Sequence, residues 1–229
     1  MRLRIILRVR SAYLKIAATV IPPRQVFVIV AMMAGWFALV AQFFLAIDNR
    51  TAPVAEAAIR YISYFTIEAN GLATLGFTVL LVARRTALGR WFSRQSVVTA
   101  ITIYMVVVGV TYNIVLRSLW RPRGMELVVD ELLHSVLPAA YVFYWLLYAS
   151  AKRRLMWKIV PSWMLFPLAY CIYTMIRGVM TGWYPYPFFN AAVLGYPRVL
   201  INIGEMIVVF FGVAALFVVI AKRIYQSGG

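Results

Sequence analysis

The sequence predicts an all-α membrane protein, a six-transmembrane-helix bundle with both termini in the cytoplasm. Hydrophobic residues make up 64% of the 229 residues and charged residues 13%, whereas ordinary globular proteins carry about 25% charged residues. Six mostly apolar stretches reach the length of about 20 residues that a membrane-spanning helix needs. Lysine and arginine cluster between these stretches. Together these observations leave no length for a separate soluble domain.

The predicted spans are residues 25–47, 62–83, 97–116, 127–150, 160–180 and 199–221. Pro22 and Pro23 precede the first span, and proline interrupts a helix that would otherwise continue through it. The chain therefore divides into a basic cytoplasmic or interfacial segment (1–24), a transmembrane domain (25–221) and a cytoplasmic tail (222–229).

The distribution of positive charge predicts the orientation. Sixteen of the 23 lysines and arginines lie in residues 1–24, 84–94, 152–158 and 222–223, all on one side of a six-span chain. The other seven lie on the opposite side. Cytoplasmic loops carry the excess of lysine and arginine, so we expect both termini in the cytoplasm.

Composition and residue counts exclude several classes of protein. A net charge of +16 would suit a nucleic-acid-binding protein, but here the charge follows the arrangement of spans, so we expect no nucleic-acid partner. Cys171 is the only cysteine and His134 the only histidine. This excludes an internal disulfide, bis-histidine haem ligation and multi-histidine metal centres. We therefore predict no metal and no cofactor.

Polar residues of the predicted spans fall in one layer. Ionisable groups within a membrane are costly and usually mark a functional or tightly paired site. At 1.5 Å rise per residue, Thr66 and His134 each lie roughly 6–11 Å below the outer boundary of the bilayer. Five helices contribute to this layer, so we expect a polar cavity in the outer half of the bundle. The layer comprises Thr66, Glu68, Asn70, Asn113, Asp130, Glu131, His134, Arg177, Asn202 and Glu205.

Helical spacing brings some of these residues together. Asp130, His134 and Pro138 share one face of the fourth span, and Glu131 lies three residues before His134. A carboxylate beside an imidazole fixes its tautomer and raises its basicity. Asp130 and Glu131 are both candidates for this role. Pro138 leaves the carbonyl of His134 without its helical N–H donor and should kink the helix.

Each polar residue also has a structural explanation. A threonine in a transmembrane helix usually bonds the carbonyl four residues earlier, and a lone intramembrane histidine usually links helices. Asn113 and Asn202 can likewise join helices. Glu205 can neutralise a buried arginine or stay protonated. Asp130 and Glu131 can lie at the interface, paired with Arg121, Arg123 or Arg177. The aromatic connector TGWYPYPFFN at residues 181–190 either caps the cavity or anchors in the headgroup region. The common depth of the polar residues favours the cavity.

Several segments, taken in order, resemble a known family. They are YFTIEAN at 64–70, HSVLP at 134–138 followed by Trp145, Arg177-Gly178, GWYPYPFF at 182–189, Gly195-Tyr196 and Asn202. From the second span to the sixth, the chain resembles a bacterial member of the androgen-induced integral-membrane hydrolase family. It departs from that pattern at Ala69, Tyr144 and Asn190, where we expect serine, an acidic residue and aspartate.

The resemblance implies a six-helix protein of a bacterial cytoplasmic membrane that hydrolyses fatty-acid esters of hydroxy fatty acids. It implies Thr66 as the nucleophile and His134 as its partner. We expect Asp130 or Glu131 to orient the imidazole and Asn70, Asn113 or Asn202 to stabilise the oxyanion. We expect the lipid substrate to occupy a pocket lined by Asn113, Arg177, Asn202 and Glu205.

Two other functions fit the same residues. A non-enzymatic lipid-binding or transport protein would use a polar pocket in the outer leaflet without any reaction. A structural partner of another membrane complex would turn its polar residues towards the lipid-facing surface.

Overall fold

The computed structural model describes residues 21–119, 121–149 and 155–227. Within these ranges every regular element is helical, and six helices are long and apolar enough to cross a membrane. This confirms the predicted all-α fold with six spanning helices, and the cytoplasmic placement of the termini stays a prediction. The six helices, called spans 1 to 6 below, are Pro23–Asp48, Phe65–Val82, Gln95–Leu119, Met125–Tyr148, Trp157–Thr181 and Tyr196–Gln226. Most of the predicted basic segment 1–24 lies outside the described residues.

The ends of the spans follow local sequence signals. Pro23 begins span 1, and proline suits the first helical position because the N–H it lacks would have no helical partner there. The helix of span 6 continues to Ser227. The predicted tail 222–229 therefore begins inside a helix, since the sequence from 222 to 227 contains neither glycine nor proline.

Short helices occupy three of the connectors. Val54–Ile62 joins span 1 to span 2, Ala87–Phe92 joins span 2 to span 3, and Ala191–Leu194 precedes span 6. The first of these ends at a corner where Tyr64 is extended, and span 2 begins at Phe65. We predicted span 2 to begin at residue 62. No glycine or proline lies between 54 and 70, so nothing in the local sequence marks this corner.

Span 3 is the most deeply enclosed of the six spans and packs against spans 2, 4 and 6. Span 1 packs against spans 2 and 4, and span 5 packs against span 6. Trp145 of span 4 is fully buried in the bundle, and its indole N–H donates to the Thr99 hydroxyl of span 3 at 2.8 Å. Large apolar side chains such as Ile114, Met180 and Val208 point outwards, as expected where a helix faces lipid.

Candidate functional site

The corner before span 2 places Thr66 in the first turn of a helix. The Tyr170 hydroxyl donates to the Ser63 carbonyl at 3.0 Å and fixes the corner to span 5. Because the first N–H groups of a helix have no helical acceptor, the N–H of Thr66 is free to bind another group. It donates to the Tyr186 hydroxyl at 3.3 Å, and the Thr66 Oγ1 atom lies 3.4 Å from the same oxygen.

The histidine lies in a contact network with Asp130 and Tyr112. Its Nδ1 atom is 3.1 Å from Asp130 Oδ1 and 3.0 Å from the Asp130 backbone oxygen. The Tyr112 hydroxyl donates to the other carboxylate oxygen, Oδ2. The Tyr112 ring stacks on the imidazole of His134, with centroids 3.9 Å apart and planes at 14°. Asp130 therefore joins residues of spans 3 and 4 through one carboxylate.

These contacts decide which carboxylate orients the imidazole. Glu131 pairs instead with Arg117, at 2.6 Å. A backbone carbonyl only accepts hydrogen bonds, so the Nδ1 atom of His134 carries the hydrogen that faces Asp130. The Nε2 atom then keeps its lone pair and can act as a base.

Sequence reasoning missed Tyr112. It is one of 14 tyrosines, and its role depends on the packing of span 3 against span 4. Both helices contain a π-helical turn at this level, Tyr112–Leu116 and Leu132–Val136. Such turns are frequent at functional sites, and neither is evident from apolar periodicity.

Two asparagines satisfy the carbonyls around Pro138. In the π-helical turn the N–H of Leu137 bonds the Leu132 carbonyl, and Pro138 has no N–H to offer. Asn70 of span 2 donates to the Leu133 carbonyl at 3.1 Å, and Asn113 of span 3 donates to the His134 carbonyl at 3.3 Å. The two side chains thus hold the irregular part of span 4 in place.

Gly109 permits the close approach of spans 3 and 4 at this turn. A Cβ atom at this position would lie 3.2 Å from the His134 carbonyl oxygen, which is tighter than ordinary van der Waals contact. Glycine therefore allows span 3 to approach the backbone of the candidate catalytic histidine directly.

The asparagine contacts differ from the expected oxyanion-binding role. Asn70 also donates to the Thr66 carbonyl at 2.9 Å, and Asn113 to the Gly109 carbonyl at 2.9 Å. An amide group has two N–H donors, so both residues already direct theirs at backbone oxygens. The amide of Asn202 donates to the Phe188 carbonyl at 2.8 Å. In this structure all three asparagines bind backbone carbonyls and thereby position elements of the site.

Arg177 lies beside the aromatic connector, where it forms part of an ionic network. Its guanidinium bonds Glu56 at 2.7 Å, and Arg60 bonds the same carboxylate oxygen at 2.8 Å. Both hydrogen bonds hold the pKa of Glu56 below its ordinary value, and the bond from Arg60 has the larger effect of the two. Both guanidinium groups also lie over the Trp183 ring, at 5.2 and 5.3 Å from its centroid. The network joins the helix Val54–Ile62 to span 5 and to the connector.

The aromatic connector folds back over the site. The Tyr184 ring packs against Gly178, where any Cβ atom would overlap the ring, and Asn202 holds the Phe188 carbonyl. Tyr186 stacks on Phe188 with ring centroids 5.1 Å apart and contacts Thr66 through its hydroxyl. Burial raises the pKa of Tyr186 to about 12, so its hydroxyl keeps its proton at neutral pH. Asn190, which departs from the family pattern, caps the next helix by accepting from the N–H of Ala192 at 3.1 Å.

Thr66 and His134 line the same cavity, which we call the polar cavity. Its volume is about 570 Å³, within the range of about 300–1,000 Å³ typical of ligand sites. It lies at the end of the bundle predicted to face outwards. Its lining includes Arg50, Arg60, Thr66, Tyr112, Asp130, His134 and Tyr186.

The other predicted site residues are not among those that line the polar cavity. Asn202 and Glu205 line a second space of about 510 Å³ between spans 3 and 6, which we call the apolar groove. Asn70, Asn113 and Arg177 bind backbone or carboxylate oxygens instead, through the contacts given above. The structure therefore brings Thr66, His134 and Asp130 to one cavity and places Asn202 and Glu205 in a neighbouring one.

Within the described part of the chain, no group of three or more histidine, cysteine, aspartate or glutamate side chains is placed to hold a metal ion. In comparisons with known proteins, no protein-family model, no curated protein and no solved structure matches this chain.

Proposed function

We propose that the protein is an intramembrane lipid-ester hydrolase of the bacterial cytoplasmic membrane, with Thr66 as nucleophile and His134 as general base. Its substrates are esters of long-chain fatty acids, such as fatty-acid esters of hydroxy fatty acids. The observation that carries the proposal is the shared cavity, in which the Thr66 hydroxyl and an imidazole oriented by a carboxylate line one ligand-sized space. The combination of hydroxyl, imidazole and carboxylate is that of nucleophilic ester hydrolysis.

The reaction proceeds through two acyl transfers. His134 Nε2 takes the proton of the Thr66 hydroxyl while Oγ1 attacks the ester carbonyl carbon. The tetrahedral intermediate then expels the alkoxide, which takes that proton from the imidazolium and leaves as the alcohol. Water next attacks the acyl-threonine, gives one proton to His134, and releases the fatty acid as the proton returns to Oγ1.

Two donors beside Oγ1 suit the oxyanion of each intermediate. They are the N–H of Thr66, at the positive end of a helix dipole, and the hydroxyl of Tyr186. In the resting structure these two groups bond each other. A substrate carbonyl oxygen that entered between them would accept from both.

The contacts of the Thr66 hydroxyl give some support to a second candidate, a lipid-binding or transport protein. The Thr66 hydroxyl contacts the Tyr186 hydroxyl at 3.4 Å. Among the described contacts, no hydrogen bond joins it to His134. Hydrolysis therefore requires Thr66 and His134 to approach when the substrate binds. Catalytic hydrogen bonds are often long or misaligned before substrate binds, so we place hydrolysis first.

Trapping of the acyl-enzyme tests the proposal. Purified protein in detergent is incubated with long-chain fatty-acid esters, quenched in acid and digested, and its peptides are analysed by mass spectrometry. We expect released fatty acid and an acyl group on the peptide that contains Thr66. Thr66→Ala should abolish both, whereas Thr74→Ala, about two turns further along span 2, should retain both. Intact lipid bound to the wild type without turnover would instead establish the lipid-binding protein.

A further inference from the structure

The apolar groove runs from the end of the bundle predicted to face outwards towards the middle of the membrane. On span 3 its lining extends from Leu119 to Val107, a rise of about 18 Å along the helix. This is more than half of the roughly 30 Å hydrocarbon thickness of a bilayer. Most of its lining side chains are apolar, among them Val107, Val115, Leu119, Leu194, Met206 and Val209.

A narrow space beside Thr66 lies between the groove and the polar cavity. A narrow space of about 30 Å³ is lined by Thr66 and Tyr186, which also line the polar cavity. The same space is lined by Val107, Phe188 and Met206, which also line the groove. Thr66 therefore lines both the polar cavity and the narrow space that leads from it to the apolar groove.

The two spaces differ in the groups they offer a ligand. The lining of the polar cavity includes the ionisable side chains of Arg50, Arg60, Asp130 and His134. Among the described residues that line the groove, the polar ones are Thr111 on span 3 and Arg198, Asn202 and Glu205 on the first turns of span 6. A long hydrocarbon chain is therefore more stable in the groove, where apolar side chains surround it, and a polar alcohol is more stable in the cavity.

We propose that the groove between spans 3 and 6 holds the acyl chain of the ester and that the polar cavity holds its alcohol portion. This inference rests on the proposed function and fixes the direction in which the substrate lies across Thr66. The substrate class is an ester with a long acyl chain on one side and, on the other, an alcohol that carries a polar group, such as the carboxylate of a hydroxy fatty acid. The acyl chain enters the groove sideways from the membrane, and the alcohol leaves through the polar cavity.

Acyl-chain selectivity tests the assignment. Val209 lies in the groove at the membrane-buried end of its span 6 lining, and its neighbour Val208 is 71% exposed and does not line the groove. Val209→Trp should block the end of the groove, and Val208→Trp provides a matched control of the same size on the same helix. Both variants and the wild type are assayed with esters of one polar alcohol and acyl chains of increasing length.

We expect Val209→Trp to lower kcat/KM for long acyl chains by at least about tenfold relative to short ones, because each excluded methylene loses pocket contact. Val208→Trp should keep the wild-type ratio. Lengthening the alcohol portion instead should produce no selective loss in Val209→Trp. An equal ratio in the two variants, or a selective loss that follows the alcohol portion, would overturn the assignment while leaving hydrolysis intact.

A binding experiment separates failure of the groove from failure of the proposed function. If the wild type hydrolyses no ester, the proposed function is wrong and the groove is tested with a non-hydrolysable ketone analogue that carries a diazirine at the end of its acyl chain. Photolabelling of groove residues on spans 3 and 6, reduced in Val209→Trp and retained in Val208→Trp, supports the groove as a chain-binding site. Labelling confined to other lipid-facing surfaces overturns it.

Discussion

At the scale of single residues, Asp130 has two partners that a single carboxylate can hold at once. One oxygen lies 3.1 Å from the Nδ1 atom of His134, and the other accepts from the Tyr112 hydroxyl. The imidazole is also held from its face, because the Tyr112 ring stacks on it. The ring of His134 is therefore fixed in both direction and tautomer before any substrate binds.

Asp130 and Glu131 form a matched pair for a test of this arrangement. Asp130→Asn keeps the size of the side chain but removes its charge, so it should lower kcat for ester hydrolysis by about a hundredfold. Glu131→Gln should leave kcat nearly unchanged, because Glu131 binds Arg117 at the surface. Steady-state kinetics of the two variants measure the difference. Equal losses would show that charge near the site matters and that the contact between Asp130 and His134 does not.

Tyr186 offers a second test at this scale. Tyr186→Phe keeps the stacked ring and removes the hydroxyl, so kcat should fall by about a hundredfold if that hydroxyl binds the oxyanion. KM should change little, since the interaction strengthens in the transition state. Tyr184→Phe, on the same connector, serves as the control. If Tyr186→Phe raised KM and spared kcat, the hydroxyl would bind the substrate and not the oxyanion.

At the scale of helices, spans 2 and 3 support the irregular turn of span 4. Asn70 and Asn113 each donate to a carbonyl near Pro138, so the candidate histidine sits on a helix segment held by its neighbours. The same two amides therefore connect the stability of the bundle to the geometry of the site.

The two asparagines should differ in their contribution to stability. Asn70 is fully buried and Asn113 is exposed, so water or headgroups can replace the bonds of Asn113 only. Asn70→Leu should lower the free energy of unfolding by about 1–2 kcal/mol, and Asn113→Leu by less. Reversible unfolding in mixed detergent micelles measures both. A larger loss for Asn113→Leu would contradict this account of the turn.

The sequence predicts those parts of the site that lie within one helix. Asp130 and His134 are four residues apart, so helical periodicity is sufficient to bring them together, and Pro138 is sufficient to mark the freed carbonyl. The contact of Tyr112 with Asp130 and that of Tyr186 with Thr66 each join different elements. Their positions depend on the π-helical turns and on the corner at Ser63 and Tyr64, which no apolar pattern reports.

At the scale of the whole molecule, apolar length is sufficient to predict the six spans, because a bilayer requires nearly the same length of every helix that crosses it. The amphipathic helix Val54–Ile62 was missed because it is half the length of a span and continues the apolar run of span 2. Because the predicted span begins at residue 62, the prediction places Thr66 deeper in the helix than the first turn, where the structure has it. The helix dipole at Thr66 was missed for the same reason.

The ionic network around Glu56 should make stability depend on pH. Because Arg60 and Arg177 lower the pKa of Glu56 below 4.5, the folded state binds its proton less readily than the unfolded state does. The stabilisation is therefore complete above the ordinary pKa and is lost as pH falls through the lower, folded value. The melting temperature of the wild type should exceed that of Glu56→Gln at neutral pH, and the difference should narrow as the pH falls below 4.5.

The control for this prediction is Arg60→Gln, which removes the larger cause of the shift. It should move the loss of stability to a higher pH, closer to 4.5. Melting curves of the three proteins at several pH values measure both effects. A difference between wild type and Glu56→Gln that stayed constant across the acidic range would show that the network contributes through packing alone.

The predicted orientation of the bundle rests on the distribution of charge and can be measured with the protein in its membrane. The only native cysteine, Cys171, is buried, so it gives little background with a thiol reagent that cannot cross the membrane. Arg85 and Arg121 are both exposed and lie on opposite sides of the bundle. Two variants, each with one cysteine introduced at one of these positions and Cys171 retained, therefore report the two faces.

With sixteen of 23 basic residues on the side of Arg85, that side should be cytoplasmic. We expect the impermeant reagent to label Arg121→Cys in intact cells and to label Arg85→Cys only after the membrane is permeabilised. Labelling after permeabilisation also shows that each cysteine is accessible, so a negative result in intact cells reports topology and not burial. The reverse pattern would place the polar cavity at the cytoplasmic face, and its substrates would then come from the inner leaflet.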